Sequence, residues 1–183
     1  LAAAALALTL ASPGQARTVR VASAAELRAA IAAAMPGDEI VLAAGTHDVA
    51  GNIRCDRPGA PGAPITVRAE CPLSARIRFD ALEGFLVSAP HWTFDGLDIE
   101  GACASDDACE HAFHVVGAAD HFTLRRCDVR DFNAQVKVNG LDPGTGRIYP
   151  DDGLIEWCEL HDTRPRQTSN PVTKIDVVGG RRW

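Results

Sequence analysis

Three titratable residues, His114, Lys137 and Asp176, occupy equivalent places in three similar segments of the sequence. Each lies between two apolar residues, in the short stretches FHV, VKV and IDV. On a β-strand this alternation puts the apolar neighbours on one surface and the titratable side chain on the other. An imidazole, an amine and a carboxylate on one surface can take up and release protons. The three residues are therefore candidates for general acid–base catalysis.

Two further polar residues share the predicted strand face. Asn139 lies two residues after Lys137, and Lys174 lies two residues before Asp176. An amide can hydrogen-bond a sugar or a carboxylate, and a second ammonium group with partial burial would lower the pKa of Lys137. We therefore predict Asn139 and Lys174 as ligand-binding residues. The alternative is a structural row of solvated charges and salt bridges, because Asp176 can simply neutralise Lys137.

An internal repeat indicates which elements position these residues. Segments 91–99, 121–129 and 152–160 align with one another at offsets of 30 and 31 residues, and short apolar strands separate them. Repeats of this size made of short strands bury their apolar residues only by stacking on one another. The sequence therefore predicts a parallel β-helix, an all-β solenoid, with a short helix near its start that begins after Ser23.

In such a solenoid, equivalent residues of successive coils lie about 4.8 Å apart. His114, Lys137 and Asp176 would then form one row on the outer surface. Inside, alternation predicts five apolar stacks: Phe94, Leu124 and Ile155; Leu97, Cys127 and Cys158; Ile99, Val129 and Leu160; Phe113, Val136 and Ile175; Val115, Val138 and Val177. Cys127 and Cys158 are neighbours in one of these stacks, either bridged or as buried free thiols.

The composition narrows the possible partners and location. The formal charge of -6 argues against a nucleic-acid-binding protein, which would carry an excess of basic residues. The longest apolar stretch is too short to span a bilayer. Residues 1–16 have the apolar run and the small-x-small ending of a signal peptide. We therefore predict a secreted or periplasmic protein, with a parallel β-helix domain over residues 17–183.

The start of this domain carries a resemblance to a known group of proteins. The helix after Ser23, the segment MPGDEIVLAAGT (35–46) and the segment APITVRAE (63–70) resemble the cap and first coil of the pectin-lyase-like right-handed β-helix superfamily. Within it, the alginate lyase and chondroitinase B family is the most similar. The resemblance implies a right-handed helix with an N-terminal capping helix. Because the sequence stops at Trp183 as a further coil begins, we expect an N-terminal fragment whose C-terminal coils are missing.

The resemblance also implies a chemistry. In the alginate and chondroitin lyases, a lysine on this sheet removes the C5 proton of a uronate, an arginine on the next coil assists, and several of the enzymes hold calcium. Lys137 would be the base and His114 the acid or a second base. Asp176 departs from the pattern, since it stands where a neighbouring cation would help. The expected partner is an anionic polysaccharide, which is either cleaved by β-elimination or bound by a noncatalytic envelope or adhesion solenoid.

Four of the six cysteines suggest disulfides in an exported chain. Cys103 and Cys109 lie in one short loop, and Cys55 and Cys71 flank a turn rich in proline and glycine. We predict one bridge within each pair. No Cys-x-x-Cys motif is present, so neither a zinc site nor a cysteine nucleophile is predicted.

A few other residues could hold a metal ion. Asp106, Asp107 and Glu110 offer oxygen ligands for calcium, although their spacing fits no defined loop and a solvated acidic loop is the simpler interpretation. His91 and His121 recur at the same turn position, which a structural repeat explains without a metal. No cofactor is therefore predicted, with calcium left as an open alternative.

Overall fold

The computed structural model describes residues 16–183, so the predicted signal peptide, residues 1–16, lies outside the described residues apart from Ala16. The elements within these described residues are short strands, one α-helix and one turn of 3-10 helix. In chain order they are β1 Thr18–Val21, α1 Ala24–Ala32, β2 Glu39–Leu42, β3 Gly45–Ala50, β4 Ile53–Cys55, β5 Ile65–Ala69, β6 Ala75–Asp80, β7 Glu83–Val87, β8 Trp92–Asp95, β9 Asp98–Gly101, the 3-10 helix Asp106–Ala108, β10 His111–Val116, β11 Thr123–Arg125, β12 Asp128–Arg130, β13 Ala134–Asn139, β14 Leu154–Glu156, β15 Glu159–His161 and β16 Thr173–Val177.

The strands form three parallel sheets. The first sheet has the order β1-β2-β5-β8-β11-β14, the second β3-β6-β9-β12-β15 and the third β4-β7-β10-β13-β16. From β2 onward the chain visits the first, second and third sheets in turn, and completes this circuit five times. Residues 16–183 thus form a right-handed parallel β-helix of five coils: the repeat predicted the parallel β-helix, and the resemblance implied its handedness.

Helix α1 covers one end of the stack. Ser23 begins it as predicted: its side-chain oxygen accepts a hydrogen bond from the Glu26 N–H at 3.2 Å, and the Glu26 carboxylate accepts one from the Ala22 N–H at 2.7 Å. Leu27 and Ile31 are buried against the strands of the first coil. The helix therefore shields the apolar interior of that coil from water.

The observed register matches the predicted stacks. Leu124 pairs with Phe94 on one side and with Ile155 on the other. The Phe94 ring lies 4.8 Å from the rings of both Phe85 and Phe113, which come from the third sheet. The stacks of the separate sheets thus meet in one continuous core, and the burial of these side chains stabilises the coils.

The fifth coil extends the same register. Gly153 has no side chain at the position that Trp92 and Phe122 occupy in the preceding coils, and the Trp183 indole lies against it. The ring centroids of Trp183 and Phe122 are 6.1 Å apart. On the inner face of β16, Ile175 and Val177 are 45% and 42% exposed.

The cysteines follow the predictions in part. Cys103 and Cys109 form a disulfide, with a Cα–Cα distance of 5.7 Å. The predicted bridge between Cys55 and Cys71 is wrong, since both thiols are free. Cys55 points into the core from β4 and is fully buried, whereas Cys71 is exposed in the turn after β5. One thiol is thus enclosed in the core and the other lies at the surface, so they do not meet.

The other two thiols, Cys127 and Cys158, are also free. Burial raises the pKa of the Cys127 thiol, while a hydrogen bond from Cys127 lowers the pKa of Cys158 to about 7.

Among residues 16–183, no helix is both long enough and apolar enough to cross a bilayer.

Candidate functional site

His114, Lys137 and Asp176 lie side by side on the third sheet. Strand pairing places His114 opposite Lys137, and Lys137 opposite Asp176, on β10, β13 and β16. Their inward-facing neighbours are core residues, so the three side chains project from the outer surface and are 18%, 21% and 37% exposed. We call this row the outer ladder. Its position is as predicted, and its catalytic role remains a prediction.

Each of the two lysines is held by an aspartate. The Lys137 ammonium donates a hydrogen bond to the Asp176 carboxylate on the next coil. Lys174, at the start of β16, donates to Asp162, which also accepts a hydrogen bond from the Gln135 amide at 3.1 Å. The ammonium groups are therefore paired separately, rather than grouped as the sequence suggested.

His114 is hydrogen-bonded through both ring nitrogens. Its Nδ1 lies 2.5 Å from Glu83 Oε1, and its Nε2 lies 2.5 Å from Asn139 Oδ1. The Asn139 amide nitrogen donates to the Gly140 carbonyl at 3.2 Å, which fixes the amide oxygen toward the imidazole. Since both partners are oxygen acceptors, both ring nitrogens donate, and His114 is an imidazolium. Asn139, predicted to bind ligand, thus orients His114 in this structure.

The pKa directions agree with this arrangement. Burial lowers the pKa of His114, but the hydrogen bonds to Glu83 and Asn139 and the charge of Glu83 outweigh it, so the pKa is raised. The two neighbouring imidazoles lower the pKa of Glu83 to about 2, with the larger effect from His111 and the smaller from His114. The raised pKa of His114 favours its doubly protonated ring beside the ionised Glu83 carboxylate.

Glu83 and His111 were missed by sequence reasoning. Glu83 on β7 pairs with His111 on β10. Two consecutive residues of β10, Ala112 and Phe113, are both buried, so His111 and His114 come to the same outer surface although they are three residues apart. The sequence could have revealed this pair: extending the alignment of β7 with β10 toward the N-terminal ends of the two strands places Glu83 opposite His111.

A polar cleft lies beyond the end of β13. It has a volume of about 340 Å³ and is lined by Arg147, Tyr149, Asp151, Gly180 and Arg181. Arg147 and Tyr149 pack over Gly140, the residue after Asn139: a Cβ there would lie 2.4 Å from Arg147 Cγ and 2.8 Å from the Tyr149 ring. The cleft therefore adjoins the Asn139 end of the third sheet and offers two guanidinium groups.

The acidic loop is bound by protein donors. Asp106 accepts hydrogen bonds from Arg164 at 2.6 and 2.8 Å and lies 3.1 Å from Arg166. Asp107 accepts from Thr168, and Glu110 accepts from Asn170. The interpretation as a solvated loop is therefore wrong for Asp106, whose side chain is buried and whose oxygens accept hydrogen bonds from protein donors. The hydrogen bond from Arg164 lowers the pKa of Asp106 to about 2.

The two repeated histidines form a turn ladder. The rings of His91 and His121 are stacked with centroids 4.5 Å apart. Both residues have positive φ, 61° and 58°, and Asp152 has φ 60° at the same position of the next coil. The repetition thus follows a tight backbone turn, in agreement with the structural interpretation.

Comparison with solved structures identifies enzymes that share this fold. An alginate lyase from Paenibacillus sp. str. FPU-7 matches with a TM-score of 0.57 and 21% identity, over 78% of this chain and 57% of that one. Pectate lyase Pel9A matches with a TM-score of 0.57 and 20% identity, over 76% of this chain and 38% of that one. A PL6 family polysaccharide lyase from Pseudopedobacter saltans matches with a TM-score of 0.54 and 18% identity, over 75% and 30%.

At these identities the likeness establishes the parallel β-helix fold. The chain spans 57% or less of the length of these three lyases. No protein family model matches the sequence, and no curated protein is significantly similar to it.

Proposed function

We propose that this protein is exported, binds an anionic polysaccharide along the third sheet and cleaves it by β-elimination. The observation that carries the proposal is the outer ladder: an imidazolium, an ammonium and a carboxylate lie on three adjacent strands. The cleft of Arg147 and Arg181 supports an anionic ligand. The structural likeness to alginate and pectate lyases supports the reaction class.

The ladder supplies the groups that elimination needs. Lys137, as the free amine, takes the C5 proton of a uronate; the electron pair left at C5 forms the C4–C5 double bond, and the C4–O bond breaks. The leaving oxygen takes a proton from the His114 imidazolium. The carboxylate of the substrate must be neutralised for the C5 proton to be acidic, and the guanidinium groups of the cleft can do this.

The second candidate is a noncatalytic solenoid that binds glycans. The ion pairs Lys137–Asp176 and Lys174–Asp162 favour it, because a lysine held as an ammonium by an aspartate is a poor base. Both candidates use the same surface, and they differ in whether a bond is broken.

Export is supported by two features of the chain. The predicted signal peptide is typical of secretion, and the Cys103–Cys109 disulfide persists in an oxidising compartment. Mass spectrometry of the protein purified from its host would test this: we expect an N-terminus at residue 17 and no free thiol at Cys103 or Cys109.

An assay for unsaturated products tests the function. The full-length protein is incubated with alginate, pectate and chondroitin, and the ultraviolet absorbance of the new double bond is followed. We expect product with one polymer, and at least a hundredfold slower formation with Lys137→Met. Arg20→Met, which changes an exposed cation of the first sheet, is the matched control. Binding without product would favour the second candidate, and neither binding nor product would reject both.

A further inference from the structure

We propose that Glu83, His111 and His114 form a binding site for a divalent transition metal ion of the zinc type. We call these residues the His–Glu triad. Each residue offers one ligand atom, a carboxylate oxygen from Glu83 and one ring nitrogen from each histidine, and these three atoms all lie within 4.8 Å of one another. Two histidines and one glutamate are a frequent zinc ligand set, particularly in sites that keep one position open.

The spacing of the ligand atoms fits a metal ion after a small adjustment. Zinc bonds of 2.0–2.2 Å in a tetrahedral site put neighbouring ligand atoms about 3.4 Å apart. His111 Nδ1 and Glu83 Oε1 are already 3.7 Å apart. His114 Nδ1 and Glu83 Oε1 are 2.5 Å apart, since a proton joins them, and would separate by about 1 Å around an ion.

An unsatisfied group within the triad also points to a ligand. His111 Nδ1 is buried from solvent and has no hydrogen-bond partner among residues 16–183. Buried polar atoms without a partner are uncommon, because losing water without gaining a hydrogen bond is costly. A metal ion between Glu83 and His111 would satisfy this nitrogen.

The surroundings of His114 orient it as a ligand. Metal-bound histidines commonly donate their other ring N–H to an oxygen, which fixes the tautomer and the ring direction. Here His114 Nε2 donates to Asn139 Oδ1 at 2.5 Å, so Nδ1 faces Glu83. On binding, the ion would take the place of the proton on Nδ1, and that proton would be released to solvent.

The donor atoms select the type of metal. Two imidazole nitrogens favour zinc, cobalt, nickel or copper, whereas calcium prefers six or more oxygens. The triad side chains are between 16% and 23% exposed, so an ion can enter from solvent and retain a water or substrate ligand. The site would therefore be open rather than closed.

The triad shares His114 with the proposed elimination. An ion on Nδ1 would displace a proton from the His114 imidazolium, so metal binding and the acid role of His114 would exclude each other. Lys137→Met separates the two proposals, because it removes the proposed base and none of the three ligands. In Lys137→Met we expect loss of elimination with intact metal binding, which supports both proposals, whereas loss of metal binding in this variant would contradict the triad as the ligand set. Lost metal binding with intact elimination in His111→Ala would support the metal site and show that catalysis does not require it.

Titration with Co²⁺ alone, followed by visible absorption, tests the site, and calorimetry with Zn²⁺ gives the affinity. The full chain carries Cys71→Ser throughout, because Cys71 is an exposed free thiol and thiolates are ligands for these metals. We expect one ion per chain, and affinity at least tenfold weaker in Glu83→Gln and in His111→Ala. His121→Ala removes an exposed histidine elsewhere and serves as the matched control.

Circular dichroism confirms that each variant is folded before titration. Absence of stoichiometric binding to the parent protein would overturn the proposal. Equal affinity of the parent and the folded His111→Ala variant would overturn it as well.

Discussion

Asp176 and Lys137 determine what the outer ladder offers to an anionic ligand. Their ion pair is partly exposed, so it contributes little to stability, and a ligand carboxylate can compete with Asp176 for the ammonium. The same contact occupies the amine that the proposed elimination needs. The strength of the Lys137–Asp176 pair therefore affects both ligand binding and the supply of a free amine at Lys137.

Substitutions of this pair should change ligand binding in opposite directions. Asp176→Asn removes a competing negative charge, and we expect affinity for an acidic oligosaccharide to rise about threefold to tenfold, which is on the order of 1 kcal/mol. Lys137→Met removes the cation, and we expect affinity to fall by a similar factor. Isothermal titration calorimetry at constant ionic strength measures both.

A control separates local contact from net charge. Asp48→Asn removes an exposed carboxylate of the second sheet, paired with Arg78. If it tightens binding as much as Asp176→Asn does, the ladder is not the contact surface.

At the residue scale, alternation predicted part of the site. It placed His114, Lys137 and Asp176 correctly, because one register governs all coils. It could not reveal that His114 is tied to Glu83, since that contact depends on side-chain rotamers. The position of His111 on the outer surface also depends on a local break in alternation, where Ala112 and Phe113 are both buried.

At the element scale, the loop of residues 163–171 is held by the buried carboxylate of Asp106. Arg164, the Gln167 N–H and the buried Arg166 all contact it. We expect Asp106→Asn to lower the free energy of unfolding by about 3 kcal/mol, because a buried guanidinium then loses its countercharge. Urea unfolding measures this.

The neighbouring Asp107 is the matched control. It is exposed and accepts a hydrogen bond from Thr168. Asp107→Asn should change the unfolding free energy by less than about 0.5 kcal/mol. Equal losses in the two variants would contradict the anchoring role of Asp106.

The same carboxylate predicts a pH dependence. Its pKa in the folded protein is about 2, below its ordinary value of 3.8. The folded state therefore binds this proton less readily, so the contribution to stability is present above pH 4 and is lost as the pH falls toward 2. We expect about 2 kcal/mol to disappear over this interval. Acid unfolding of Asp106→Asn should lack this component, and an identical pH profile in both proteins would contradict the assignment.

The loop contacts could not be predicted from sequence. The donors to Asp106 come from residues 58 to 61 positions away, in an irregular segment without periodicity. The repeat fixes strands, and it gives no information on how loops from two coils meet.

At the scale of the whole molecule, aromatic side chains join the three sheets. The Phe94 ring contacts the rings of Phe85, Phe113 and Phe122 and is fully buried. We expect Phe94→Ala to lower the free energy of unfolding by about 3–5 kcal/mol, since it removes contacts in several coils at once. Leu82→Ala, at an exposed position, should cost less than about 1 kcal/mol. Similar losses measured by denaturant unfolding would contradict a continuous core.

The overall architecture was predictable because the internal repeat shows which segments, about 30 residues apart, are structurally equivalent. Offsets of 30 and 31 residues determine which strands are neighbours, so the stacking of Phe94, Leu124 and Ile155 could be predicted from the sequence. The disulfide between Cys55 and Cys71 was mispredicted because proximity in sequence does not tell whether a side chain is enclosed in the core or lies at the surface.

The central claim, that the third sheet is the ligand surface, can be measured through the lysines. The sequence contains two, Lys137 on the ladder and Lys174 at its edge, so protein labelled with ¹³C at lysine Cε gives two assignable NMR signals. The protein is titrated with acidic oligosaccharides from alginate, pectate and chondroitin. We predict that one of these oligosaccharides shifts the Lys137 signal in a saturable manner and shifts the Lys174 signal by a smaller amount. Saturable binding of an oligosaccharide that leaves the Lys137 signal unmoved would contradict the account.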